Sequence, residues 1–352
     1  MARAQTAKRK KGKTALVLGG GAPNATLMSG ALSAFAEAGV GFDVISTAGA
    51  GALIGLLYLA PGGGRTPAQA LASTMEMGIA DAIYDHFPVN YKVFQKPGAV
   101  ADAYRTLVAM NPLARKLEEE YGDSAIGKLF GDWMKLMIAG NCPTDLSPKS
   151  LGLCASVPFL EEVVDFAALR ASPTNFYVNA YNITERRMEN FGKETITPDH
   201  CRAALAYPFL YPPYPIRDPK TGKECLYYEG AAHDCLNYKA LVEHEPEVDR
   251  IVVFDVLGAD ALMRAPRDLY DAWLLSIIVP TVAIAQDDTK LFKALYNRNP
   301  ERQLYQVPFD IPEAHLPYAL DWSRSNLETL YRIGRESAQR YLAGDGAALL
   351  AP

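Results

Sequence analysis

VISTAGAGALIGLL, residues Val44 to Leu57, opens as a β-branched run and closes as an unbroken apolar helix. Between the two lies Thr47-Ala48-Gly49-Ala50-Gly51. This matches the frame of the G-x-S-x-G elbow, a strained strand–turn–helix corner that exposes a nucleophilic serine. Here the central position is Gly49 and the first glycine is Thr47. The spacing predicts the elbow, while the residue meant to attack carries no side chain. Glycine adopts a positive φ with little strain, so Gly49 suits a turn that persists without a nucleophile. Ser46 and Thr47 could replace the missing hydroxyl only if the turn slipped by two or three residues.

Working outward, KTALVLGGGAPN reads as a buried strand ending in a tight glycine loop, and ATLMSGALSAFAEAG has helical spacing up to Gly39. FDVIST is a second strand and GALIGLLYLA a helix that is apolar all round, hence buried. Strand, helix, strand, helix predicts a parallel sheet with helices on its faces. APGGGRTP breaks the pattern. Residues 61–160 then read as a helical insertion or cap, through AQALASTMEMGIADAIY, AVADAYRTLVAM, PLARKLEEEYG and IGKLFGDWMKLMIAG. NFYVNAYNIT and RRMENFG are expected to pair around a turn near Glu185. ECLYYEGAA is a strand running into a loop, VDRIVVFDVLG a buried strand, and SRSNLETLYRIGRESAQRYLAG an amphipathic terminal helix.

The 352 residues are 49% apolar, enough for one large domain over 14–345. A net charge of −5 gives no case for nucleic acid. No run of about 18 apolar residues predicts a membrane span. No apolar h-region follows the basic N-terminus, so no signal peptide is expected and a cytoplasmic location is. Five scattered cysteines without a C-x-x-C pair fit reduced thiols and argue against zinc. No metal or cofactor is expected. Residues 1–13 carry Arg3, Lys8, Arg9, Lys10, Lys11 and Lys13 and no acid. Such a tail is a solvated, disordered segment or a contact with an anionic membrane surface, each charge contributing on the order of 1 kcal/mol there.

Four segments in order resemble the patatin-like phospholipase family. They are LVLGGGAPNATLMSGAL, DVISTAGAGAL, RAALAYPFLYPP and YYEGAAHDCLN, the last looking like that family's D-G-G/A loop. The resemblance implies a three-layer α/β/α sandwich with a mainly parallel central sheet and a serine–aspartate dyad acting on lipid esters. In such an enzyme backbone N–H groups of the glycine loop hold the oxyanion.

Mapped on that pattern, Gly49 is a vacant nucleophile position and Glu229 stands where the aspartate would be. Glu229 keeps the charge on an arm one methylene longer, and a base misplaced by about 1 Å costs on the order of 100-fold. It either activates a water or ties its own loop to neighbouring N–H groups. Gly19, Gly20, Gly21 and Ala22 remain as a candidate anion-binding loop at a helix N-terminus. The family's positively charged residue and last glycine are replaced by Pro23 and Asn24, and proline removes a donor. Thr47, Ala50, Tyr207, Phe209, Tyr211 and His233 are candidate ligand-pocket residues, the aromatics equally suited to core packing. Phe130, Trp133, Met134, Leu136 and Met137 form either a lid over an acyl chain or a helix face packed on the core.

Three functions remain open. The first is a lipid- or acyl-binding protein that has lost the hydrolase dyad. The second is a lipid or carboxylic-ester hydrolase, or an acyltransferase, in which Glu229 activates water or an acceptor. The third is a scaffold whose helical insertion binds a protein partner.

Overall fold

The computed structural model describes residues 12–21, 24–111, 124–218, 221–256, 263–297, 299, 302–309, 311–312 and 320–350. The basic tail up to Lys11, Ala22, Pro23 and the segment PLARKLEEEYG lie outside them.

The strands are β1 Lys13–Leu18, β2 Val44–Thr47, β3 Asn175–Asn182, β4 Arg187–Gly192, β5 Tyr214–Arg217, β6 Glu224–Glu229, β7 Val248–Phe254 and β8 Gln303–Gln306. The helices are α1 Ala25–Glu37, α2 Ala50–Leu59, α3 Pro67–Ala72, α4 Asp81–Tyr84, α5 Ala99–Ala109, α6 Ala125–Asn141, α7 Leu160–Val163, α8 Phe166–Ala171, α9 Pro198–Ala204, α10 Tyr238–His244, α11 Leu269–Leu291 and α12 Arg324–Ala343. They flank one mixed sheet in the order β5-β6-β3-β2-β1-β7-β8, with β4 also on β3. The α/β/α architecture expected from the sequence is therefore present.

The parallel part is β3-β2-β1-β7-β8. Its centre is buried on both faces, which suits the apolar runs ALVL and IVVF. Faces alternate along β2. A Cβ on Gly55 of α2 would meet Thr47 Cγ2 at 3.2 Å and Ile45 Cγ2 at 3.4 Å, so Ile45 and Thr47 look toward α2. Ser46 looks the other way, toward the loop that leads into α10.

The junction at β3 positions the site. Its residues 177–182 pair antiparallel with β4, and its residues 175–178 pair parallel with β2. These spans overlap, so β4 and β2 take opposite edges. Residues 180–182 also pair with β6, which must then share an edge with β2. β2 stops at Thr47 opposite Val178, and β6 ends at Glu229 opposite Ala180. Two strands far apart in sequence thus meet end to end, and the turn after Thr47 comes against Glu229.

The first two helical layers close through glycine. A Cβ on Gly30 of α1 would overlap the Tyr331 carbonyl of α12, and one on Gly334 of α12 would overlap the Leu27 carbonyl of α1. Between α2 and β3 the described residues 61–160 hold α3 to α6 and a 3-10 turn, but 85–98 and 142–159 are not helical. The two ends of that stretch are tied by a bridge between Pro61 and Val164 and by Gly62 N–H donating to Val163. Buried Asp132 of α6 anchors it, accepting from the Ala80 N–H at 2.8 Å and pairing with Lys92 at 2.7 Å. Leu136 of α6 packs with Ile79, Ile83 and Tyr91, whereas Trp133 and Met137 face outward.

Candidate functional site

Gly49 caps the N-terminus of α2 with φ 50° and ψ −131°. That is the strained conformation of an elbow's central residue, outside what side-chain-bearing residues adopt easily. Gly51, two residues further, has no room for a Cβ against the Leu18 and Gly19 carbonyls. Close approach of α2 to the glycine loop therefore demands the motif's last glycine.

The space a serine side chain would fill at position 49 is already taken. A Cβ built on Gly49 overlaps Glu229 Oε1 and lies 3.0 Å from Ala231 Cβ. The extra methylene of Glu229 carries its carboxyl into the nucleophile's place. Gly49 and Glu229 are thus in contact although 180 positions apart in sequence.

Glu229 is only 8% exposed. Its carboxyl takes no hydrogen bond from any described residue, so it does not tie its loop to backbone N–H groups as one sequence reading held. Burial pushes it up to about 8. At neutral pH it is protonated, not charged as its sequence position suggested, because desolvation favours the neutral form. Tyr207, Tyr211 and Cys235 are the titratable groups that face it, and burial pushes each of them up as well.

The glycine loop lies beside this carboxyl. A Cβ on Gly20 would be 3.7 Å from Glu229 Oε1 and 2.7 Å from Ala231 Cβ. One of its donors is spent, which corrects the reading of Gly19 as an anion-binding group. Gly19 N–H donates to the Phe254 carbonyl at 3.3 Å, and Gly20 packs against the Cys235 thiol. Gly21, with φ 115°, remains, together with the Ala50 N–H at the first position of α2. Both residues are partly exposed. Ala22 and Pro23 fall outside the described residues.

The neighbouring hydroxyls are committed. Ser46 Oγ donates to the Asn237 carbonyl at 2.7 Å, and Thr47 Oγ1 to the Tyr177 carbonyl at 2.8 Å. Both side chains are fully buried, so Thr47 does not line a ligand pocket. Of the other expected pocket residues, Tyr207 and Tyr211 face Glu229, whereas Phe209 and His233 stack on other rings. Tyr207 is half-buried and Tyr211 is buried. Phe209 is 57% exposed at φ 74°, edge-on to Trp273 at 6.2 Å. His233 is exposed and stacks on Tyr181 at 4.1 Å, away from Glu229. A 410 Å³ cavity lined by Ala80, Lys128, Leu129 and Arg324, among others, shares no residue with the elbow. Among the described residues no cluster of histidine, cysteine or carboxylate could hold a metal.

Sequence reasoning missed the residues that hold the loop after Glu229. Asp288 of α11 accepts from the Cys235 and Leu236 N–H groups at 2.7 and 2.9 Å. Asn179 Nδ2 donates to the Asp234 carbonyl at 2.8 Å, and Asn237 Nδ2 to the Thr47 carbonyl at 3.3 Å. Gly230 is required because a Cβ there would overlap Asn179 Oδ1. None of these has a motif, and only the Gly230–Asn179 contact leaves a trace, as a glycine after Glu229.

A family model described as patatin-like phospholipase matches residues 16–242. The crystal structure of VipD from Legionella pneumophila is similar at a TM-score of 0.41 and 15% identity, over 95% of this chain and 67% of that one. Among curated proteins, none matches the chain. Among the described residues, no helix is long and apolar enough to cross a membrane.

Proposed function

The chain belongs to the patatin-like phospholipase family, and from that premise we propose that it binds a lipid or acyl chain without the family's serine hydrolase mechanism. One observation carries the reading: the Glu229 carboxyl lies where a Cβ at position 49 would be. Acyl transfer through an elbow serine needs a hydroxyl at that point and an ionised base beside it. Here there is no hydroxyl, and burial keeps the carboxyl neutral at neutral pH. One of the glycine-loop donors that would hold an oxyanion, Gly19 N–H, is already satisfied within the fold.

The test combines a fluorophosphonate probe with a panel of p-nitrophenyl esters of increasing chain length. The protein should take no label and show no ester turnover that Glu229→Gln removes. Labelling at a serine or threonine, or turnover lost in Glu229→Gln, would sink the reading in favour of an enzyme. Organic extraction and mass spectrometry of the purified chain should release a bound lipid.

A second reading, a scaffold, is favoured by α6. Ile126, Leu129, Trp133 and Met137 fall on one helical face and are 43–80% exposed. Such a stripe marks a contact surface. A chain that carries no extractable lipid and loses a bound protein on Trp133→Asp would support it.

A further inference from the structure

Glu229 is a buried carboxyl whose hydrogen-bonding capacity no described residue fills. A buried polar group without a partner costs about 1–3 kcal/mol, and such groups are normally satisfied. The Oε1 edge points at Gly49 and Gly20. Gly49 caps the ten-residue α2, whose first N–H, that of Ala50, goes to no described acceptor, and the N–H of Gly21, next to Gly20 in the loop, goes to none either. Among the described residues no cation faces the carboxyl. The titratable groups around it come from three segments: Tyr207 and Tyr211 after α9, Cys235 in the loop before α10, and Glu229 itself at the end of β6.

The ligand group that completes this arrangement must accept from two N–H groups and also share a hydrogen bond with a carboxyl. An ester offers a carbonyl acceptor, but its second oxygen carries an alkyl group and accepts poorly. A phosphate would bring two negative charges to a place with no cation. A carboxyl group satisfies both demands. One oxygen accepts from the N–H groups, and the other shares a single proton with Glu229, as paired carboxyls do when they occupy one site. We propose that the cleft between Gly21, Ala50 and Glu229 receives the carboxyl end of a free long-chain carboxylic acid in preference to a lipid ester. This rests on the lipid-binding reading and names the ligand class within it. Gly49 is then the residue that leaves room for Glu229 to reach the ligand head.

The test uses the delipidated full chain, oleic acid and methyl oleate below their aggregation concentrations, and titration calorimetry. At pH 7 oleic acid should bind at least about tenfold more tightly than the ester, the worth of one charge-assisted hydrogen bond. Glu229→Gln, nearly the same size, should weaken the acid about tenfold and leave the ester within about threefold. Between pH 8 and pH 9.5 both carboxyls ionise, and binding of the acid by wild type should fall by about tenfold per unit. Equal affinity for acid and ester, or acid binding unchanged by Glu229→Gln and by pH, would overturn the carboxyl assignment and leave the lipid reading standing. Failure of either ligand to bind wild type would overturn both.

Discussion

Glu229 is one methylene longer than the aspartate of the family's loop, and Gly49 is a whole side chain shorter than its serine. The structure ties these two departures together: a Cβ at position 49 would overlap Glu229 Oε1, so the longer acid fits beside a glycine there. Burial then sets its protonation. Unfolded, Glu229 ionises near 4.5, and folded it is pushed up to about 8. The unfolded chain therefore binds fewer protons between these values, so stability is full below about pH 4.5 and is lost as pH rises through the window. The slope reaches about 1.4 kcal/mol per pH unit. In urea unfolding at pH 5, 6.5 and 8, wild type should lose stability relative to Glu229→Gln, and parallel curves would refute a neutral buried Glu229. Asp288 gives a second test. Burial raises it to about 6, while the two N–H bonds it accepts pull it back. Asp288→Ala would orphan both N–H groups and should destabilise by about 2 kcal/mol or more; a loss under about 0.5 kcal/mol would mean that the loop is held elsewhere. Neither residue's role was legible in sequence. Glu229 could be found from its motif, but its neutrality comes from burial, and Asp288 lies in a helix that no motif marks.

At the level of elements, what the sequence revealed depended on how local the signal was. KTALVL is β1, residue for residue, and the terminal helix departs from its expected span by one residue at each end. The hairpin of β3 and β4 turns near Glu185 as its spacing predicted. AQALASTMEMGIADAIY has the pattern of a helical stretch, but it breaks into α3, a 3-10 turn and α4, and Gly78 between the last two packs against the Arg324 backbone with no room for a Cβ. Helix α11 went unread since its centre, SIIVPTVAIA, is β-branched and holds Pro280, signals that argue for a strand or a break. β5 and β8 are four-residue strands whose pairing is tertiary. The contact of α1 with α12 was equally hidden. Gly30 and Gly334 bring the two backbones together, and Gly334→Val should lower stability by about 3 kcal/mol or more in thermal unfolding, since overpacking costs about 1–3 kcal/mol even without backbone contact. An unchanged midpoint would contradict the close approach.

For the whole molecule, the decisive feature is a topology that no local pattern contains. β2 and β6 share one edge of β3 and meet end to end, which is why the elbow finds Glu229 across 180 residues. The sequence motifs placed both residues in one site; the sheet order brings them together, and the overlap of a Cβ at position 49 with Glu229 shows that one fills the other's space. The central claim, that Glu229 occupies the place of the missing nucleophile, is therefore a claim of coupling between Gly49 and Glu229. A double-mutant cycle in urea unfolding measures it most directly. Gly49→Ser should destabilise by about 3 kcal/mol or more, from overlap with Glu229 and from backbone strain of about 1–3 kcal/mol. Glu229→Asp alone should cost about 1 kcal/mol for the methylene removed. The account predicts that the double variant is more stable than Gly49→Ser alone by at least about 1 kcal/mol, because shortening the acid vacates the space the serine needs. A double variant whose loss equals the sum of the two single losses within about 0.5 kcal/mol would contradict it.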